Sequence, residues 1–201
     1  MKKIVSSLAV WSMVSAAVFA EEAVEPQKSS EVFIGVDYFQ GESDYNVEFS
    51  GLGSFDEDFD QTGFRIKLGV HDKNNIRFQG YLKVEDLDEQ FDEKIYGLGA
   101  DAMFTFPVQP TFKPYILLGF SSDWTELDDE PGIEYSEDSL NAFALKGGLG
   151  VLFRVNQTLE LQAGMDFQYR TWQEIKIVGT GVDIEQDDKS NTLTLGVNLF
   201  F

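Results

Sequence analysis

From Glu31 onward one rhythm runs through the chain: apolar residues alternate with polar ones or with glycine. It recurs in eight stretches: FIGVDYFQ, GFRIKLGVH, NIRFQGYLKVE, IYGLGADAMFTF, YILLGFSSDW, NAFALKGGLGVLFRV, LELQAGMDFQYRTW and NTLTLGVNLFF. A period of two belongs to a β-strand, and no helical period competes with it. Strands of soluble proteins usually run to about five or six residues, whereas one tilted across a bilayer needs about 9–11. Most of these stretches are of the longer kind. Lipid admits only helices and closed barrels, because every backbone polar group must find an internal partner.

The first twenty residues, MKKIVSSLAVWSMVSAAVFA, have another layout: two lysines, an apolar stretch, then small residues ending at Ala20. That is the pattern of a cleaved secretory signal peptide. Residues 21–30, EEAVEPQKSS, read as a short polar periplasmic lead-in. No cysteine is present, so disulfides and thiolate metal sites are excluded. Asp and Glu outnumber Lys and Arg by 35 to 15, which excludes nucleic acid as a natural partner.

Short and long connections alternate. HDKNN, PVQPTFKP and VNQT are short and carry turn chemistry, while residues 41–62, 86–94, 124–140 and 173–190 read as long loops. Short periplasmic turns, longer extracellular loops and an even strand number define outer-membrane barrels. The expected fold is all-β, an eight-stranded antiparallel up-and-down transmembrane β-barrel over residues 31–201.

Alternation alone does not say which row meets lipid, since a lipocalin-like soluble barrel also alternates, with its apolar row inside. Three features assign the faces. Gly35, Gly69, Gly97, Gly99, Gly119, Gly148, Gly150, Gly164 and Gly196 share the polar row, whereas only Gly80 and Gly147 fall on the apolar one. Small residues belong in the crowded interior. Arg65, Lys67, Arg77, Lys83, Lys146, Arg154 and Arg170 also fall on the polar row; each would cost about 2–4 kcal/mol facing lipid at the midplane. Asp37, Asp101, Glu160 and Asp166 are their candidate partners, with Arg154 facing Glu160 and Lys146 diagonal to Asp166. Finally, Phe104, Phe106, Tyr115, Phe153 and Phe201 cluster at the short-turn ends of the apolar row. Tyr38, Phe64, Tyr96, Trp124, Phe143 and Tyr169 cluster at its long-loop ends, giving the two aromatic girdles of a membrane barrel.

The final strand, TLTLGVNLFF, sets Leu193, Leu195, Val197, Leu199 and Phe201 on one face. It resembles the C-terminal signature of bacterial outer-membrane proteins, and the whole resembles the small barrels of the OmpA transmembrane-domain, OmpX and opacity-protein type. That resemblance implies the bacterial outer membrane, contact with its lipid and lipopolysaccharide, and recognition of the last strand by the barrel-assembly machinery. With nothing after the barrel, the peptidoglycan-binding domain of full OmpA proteins is not expected.

The sequence points to no catalytic residue, no cofactor and no metal site. His71, the only histidine, stands beside a periplasmic turn, at the wrong end for the catalytic histidines of outer-membrane enzymes. Asp56, Asp58 and Asp60 alternate as calcium ligands do, but an EF-hand would require Gly and Glu where Gln61 and Lys67 stand. Weak divalent-cation binding by the acidic loops, or contact with an extracellular partner through the loop aromatics Tyr45, Phe49, Phe55, Phe59, Phe91 and Tyr135, is the milder expectation. Phe39, Tyr81, Met103, Leu117 and Trp172 point inward and argue for a plugged lumen. The expected function is a monomeric, non-enzymatic surface or envelope-integrity barrel. The alternative is a small channel or transporter for a solute or apolar molecule, and an enzyme acting on lipid comes third.

Overall fold

A computed structural model describes residues 30–50, 53–72, 74–87, 94–126, 139–177 and 182–201. The expected signal peptide and most of the lead-in lie outside the described residues, as do Phe91 and Tyr135. The strands are β1 (Glu31–Phe49), β2 (Gly53–His71), β3 (Ile76–Leu87), β4 (Lys94–Thr105), β5 (Phe112–Glu126), β6 (Ser139–Arg154), β7 (Leu159–Trp172), the three-residue β8 (Ile175–Ile177) and β9 (Val182–Phe200). Each pairs antiparallel with its chain neighbour, except that β7 and β8 both pair with β9. The sheet closes when β1 meets β9, from Phe33↔Phe200 upward. Eight long strands thus form a closed up-and-down barrel, and β8 continues the line of β7.

The short turns at one end of the barrel are built by their own side chains. Asn75 adopts a left-handed φ of 63°, and Asn74 hydrogen-bonds Asp72 inside the β2–β3 hairpin. At the β6–β7 turn, Asn156 Oδ1 accepts from the backbone of Thr158 and Leu159, both at 2.8 Å. Asn is suited to both positions because it tolerates left-handed backbone and closes turns with its own side chain.

Along the part of the barrel below the aromatics the rows divide as the sequence indicates. Ile66, Leu68, Leu82, Leu98, Leu118 and Leu145 lie exposed on the outer wall, while the charged row is buried inside. On six of the long strands the outward row changes character just beyond an aromatic: Tyr38 gives way to Gln40, Phe64 to Thr62, Tyr96 to Lys94, Trp124 to Glu126, Phe143 to Asn141 and Tyr169 to Thr171. Tyr38 packs on Phe64 and Tyr96 on Trp124, with ring centroids 5.3 and 6.3 Å apart. This girdle marks the outer edge of the lipid band.

Two expectations are corrected. Residues 41–62 and 173–190 are for the most part strand, not loop: β1 runs on to Phe49, β2 starts at Gly53 and β9 at Val182. Above the girdle the alternation continues with its polarity reversed. Glu42, Asp44 and Glu48 face out there, while Ser43, Tyr45 and Val47 are buried. A search for apolar outer rows stops where lipid stops, although the strands do not. The second correction is Tyr115, expected in the periplasmic girdle. It is 2 % exposed and inward, packed with Met103, Leu117 and Leu152 and accepting a hydrogen bond from Gln162 at 3.1 Å. Tyr115 and Leu117 are two residues apart and must share a face.

Candidate functional site

The lumen is filled by ion pairs in three tiers. At the short-turn end Arg77 pairs with Glu160 at 2.8 Å, and Arg154 with Glu31 at 2.7 Å. Asn198 donates to Glu160, and the Arg154 guanidinium lies 3.6 Å from the centre of the Phe200 ring. In the middle tier Lys67 holds Asp37 at 2.5 Å, Arg65 holds Asp166 at 2.8 Å and Lys146 holds Asp101 at 2.9 Å. The Arg65 guanidinium lies over Phe39, and the Lys146 ammonium over Tyr81. In the upper tier Lys83 and Arg170 share Glu85 and Asp123 at 2.9–3.0 Å, and Arg170 reaches Asp188 at 3.6 Å.

The buried members of these tiers number seven cations and seven carboxylates. Among the described residues this buried set is therefore neutral. Burying unpaired ions costs several kcal/mol each, so a balanced, cross-linked set is the arrangement in which these charges can stay in a narrow lumen. The lumen cavity lined by Gln61, Arg65, Lys83 and Lys146 has a volume of about 10 Å³. That is room for about one water and no solute.

Above the upper tier the inside of the barrel turns dry. Tyr45, Val47, Ile95, Leu140, Ala142, Trp172, Ile175 and Ile184 form one buried apolar cluster, flanked by Phe49, Phe59 and Leu87. Trp172 ties the two zones together by donating from its indole to Asp188 at 2.9 Å. Asp188 sits above the lipid band, between outward Asp187 and Lys189. Burial pushes its carboxyl up to about 6, despite Arg170 nearby. On the outer wall, Asp44 beside Asp58 raises the Asp58 carboxyl as well.

Several sequence expectations meet their geometry here. Arg154 and Glu160 are register partners with their charges 3.9 Å apart, although each has a closer partner. Lys146 does not take Asp166 as expected; it reaches Asp101 instead. Gly119 stands between them in register, and a Cβ there would meet the Asp101 carboxyl, so the missing side chain is what lets Asp101 turn toward Lys146. Phe39, Tyr81, Met103, Leu117 and Trp172 are all buried inside. His71 is the last residue of β2, beside the β2–β3 turn as expected, buried and directly opposite Arg77. Asp56, Asp58 and Asp60 stand on the outer face of a strand rather than in a loop. Glu85, Asp123 and Asp188 were missed as interior acids. Their parity carried the signal, since Glu85 lies two residues beyond Lys83 and Asp123 two beyond Ser121.

The model of the outer membrane protein β-barrel domain matches residues 6–201. The chain belongs to that family. It is thus a β-barrel of the bacterial outer membrane. Among solved structures it is similar to the Neisserial surface protein NspA, with 22 % identity, a TM-score of 0.55, and 85 % of this chain and 97 % of that one covered. Similar too are OprG of Pseudomonas aeruginosa (13 % identity, TM-score 0.54, 89 % and 99 % covered) and AlkL in lipid bilayers (10 %, 0.55, 90 % and 94 %). At such identities the likeness speaks for the fold alone. No curated protein matches the sequence. The family barrel here holds a neutral, cross-linked lumen under an apolar cap.

Proposed function

We propose that this protein is a non-enzymatic, monomeric surface barrel: a closed, rigid wall in the outer membrane that carries an acidic extracellular sheet. One observation carries the reading: ion pairs bridge strands on opposite sides of the lumen, and the apolar cluster seals the mouth above them. Such a lumen is built to stay shut. Lipopolysaccharide and lipid are its proposed surroundings, and the alternating apolar face of β9 is the proposed segment for the assembly machinery. Weak bridging of the acidic collar to lipid phosphates by divalent cations fits its charge. No catalytic group, cofactor or specific metal is assigned.

Planar-bilayer recording of the purified protein tests closure. The expected trace shows no stable steps above baseline. Reproducible ion-selective steps would sink the plugged-barrel reading in favour of a channel.

A further inference from the structure

Strand β2 outgrows its partner on one side. Its pairing with β3 ends at Gln61↔Leu87, while its pairing with β1 continues to Gly53↔Phe49. From Gly53 to Asp58 the strand is exposed, and among the described residues no strand covers its second edge. The backbone N–H and C=O groups on such an edge form a template for another strand. This edge is also held firmly in place. Phe59 meets the Tyr45 ring edge-on at 5.3 Å, and Phe55 stacks on Phe49 at 6.0 Å.

Its two faces differ in chemistry. Outward stand Asp56, Asp58 and Asp60, backed in register by Asn46, Asp44 and Glu42 of β1. Inward stands Phe55, still 47 % exposed. The Asp44–Asp58 contact crowds negative charge on the outward face, and Asp58 is raised accordingly.

We propose that the Gly53–Asp58 edge docks an extended cationic peptide segment, which adds to the sheet as one more strand. Its Lys or Arg residues, at alternate positions, lie over the aspartate row, and its apolar residues lie over Phe55. Cross-strand neighbours on one face stand about 5 Å apart, close enough for each such ion pair. A second copy of this chain does not fit, because edge-to-edge pairing would set one aspartate row against another. The inference rests on the reading of this end of the barrel as extracellular.

The test uses full-length protein in phosphatidylcholine nanodiscs and a fluorescent heptapeptide alternating lysine with valine. Binding is expected by anisotropy. A peptide of unchanged charge, N-methylated on two adjacent central residues so that neither of its edges can pair, is expected to bind at least about tenfold more weakly. A matched loss is expected for the D56N/D58N/D60N variant, whose changed side chains are all exposed. Absence of binding, equal binding of the N-methylated peptide, or unchanged binding by the variant overturns the proposal. Conductance reports separately on the plug: a conducting barrel that still binds the peptide fails the closed-lumen reading and leaves this one standing.

Discussion

Arg170 on β7 grips both carboxylate oxygens of Glu85 on β3 at 2.9 Å, across the full width of the lumen. The two strands stand four apart in a ring of eight. The same guanidinium reaches Asp123 at 2.9 Å and Asp188 at 3.6 Å, so one cation organises three carboxylates with the help of Lys83. Removing one member of such a buried set leaves charge uncompensated, which costs about 3–5 kcal/mol. Arg170→Met is expected to lose that much in urea unfolding from lipid vesicles. The Arg170→Met/Glu85→Leu double variant, which restores the balance of charge, is expected to recover part of it.

Acidity acts on the same tier through Asp188. Its folded-state carboxyl is raised to about 6, chiefly by burial, whereas an unfolded aspartate titrates near ~3.9. Between those values the folded protein binds the extra proton. The contribution of Asp188 to stability is therefore full below about pH 4 and is lost as pH rises through about 6. Unfolding free energies at a series of pH values from 4 to 7 are expected to fall for the wild type relative to Asp188→Asn, by on the order of 2 kcal/mol. A constant difference across that range would contradict the assignment.

The apolar cap makes a local prediction. Ile95 and Ile184 are 2 % and 7 % exposed within it, and an Ile→Ala change at such a site costs about 2–5 kcal/mol. The cluster lies above the girdle, so the loss is expected in the extracellular ends of the strands and not in the wall within lipid. Hydrogen exchange on Ile184→Ala is expected to quicken at residues 43–49 and 53–60 while the amides of the lipid-embedded segments keep their protection.

The membrane part of the barrel was legible because lipid imposes a simple sorting rule: Leu68 and Lys67 cannot exchange faces. Strand parity, charge and glycine position therefore placed each inward lysine and arginine correctly. The ion-pair partners were less legible, because they depend on which side chains reach across the lumen. Lys146 and Asp101 lie on β6 and β4 with Gly119 of β5 between them, a relation that exists only once the register is fixed. The extracellular half misled for another reason. Tyr45 and Val47 turn inward under an acidic outer row, reversing the sign of the pattern, so an alternation that persists to Phe49 reads as loop in the sequence.

Glycine supplies the remaining prediction, since identical substitutions on the two faces should differ. At Gly150 an added methyl would meet the carbonyl oxygen of Ala163, the Gly164 Cα at 2.7 Å and the Tyr115 hydroxyl at 2.6 Å. Two of those obstacles are backbone and cannot rotate away. At Gly147, on the lipid face, the nearest atom is 4.0 Å away. Overpacking typically costs about 1–3 kcal/mol, so Gly150→Ala is expected to lower unfolding stability in vesicles by about that much. Gly147→Ala is expected to be neutral or slightly stabilising, because alanine also narrows the freedom of the unfolded chain. Equal losses at both positions would mean that the two glycines do not sit on opposite faces of the wall. The inward crowding that closes the lumen would then need another source.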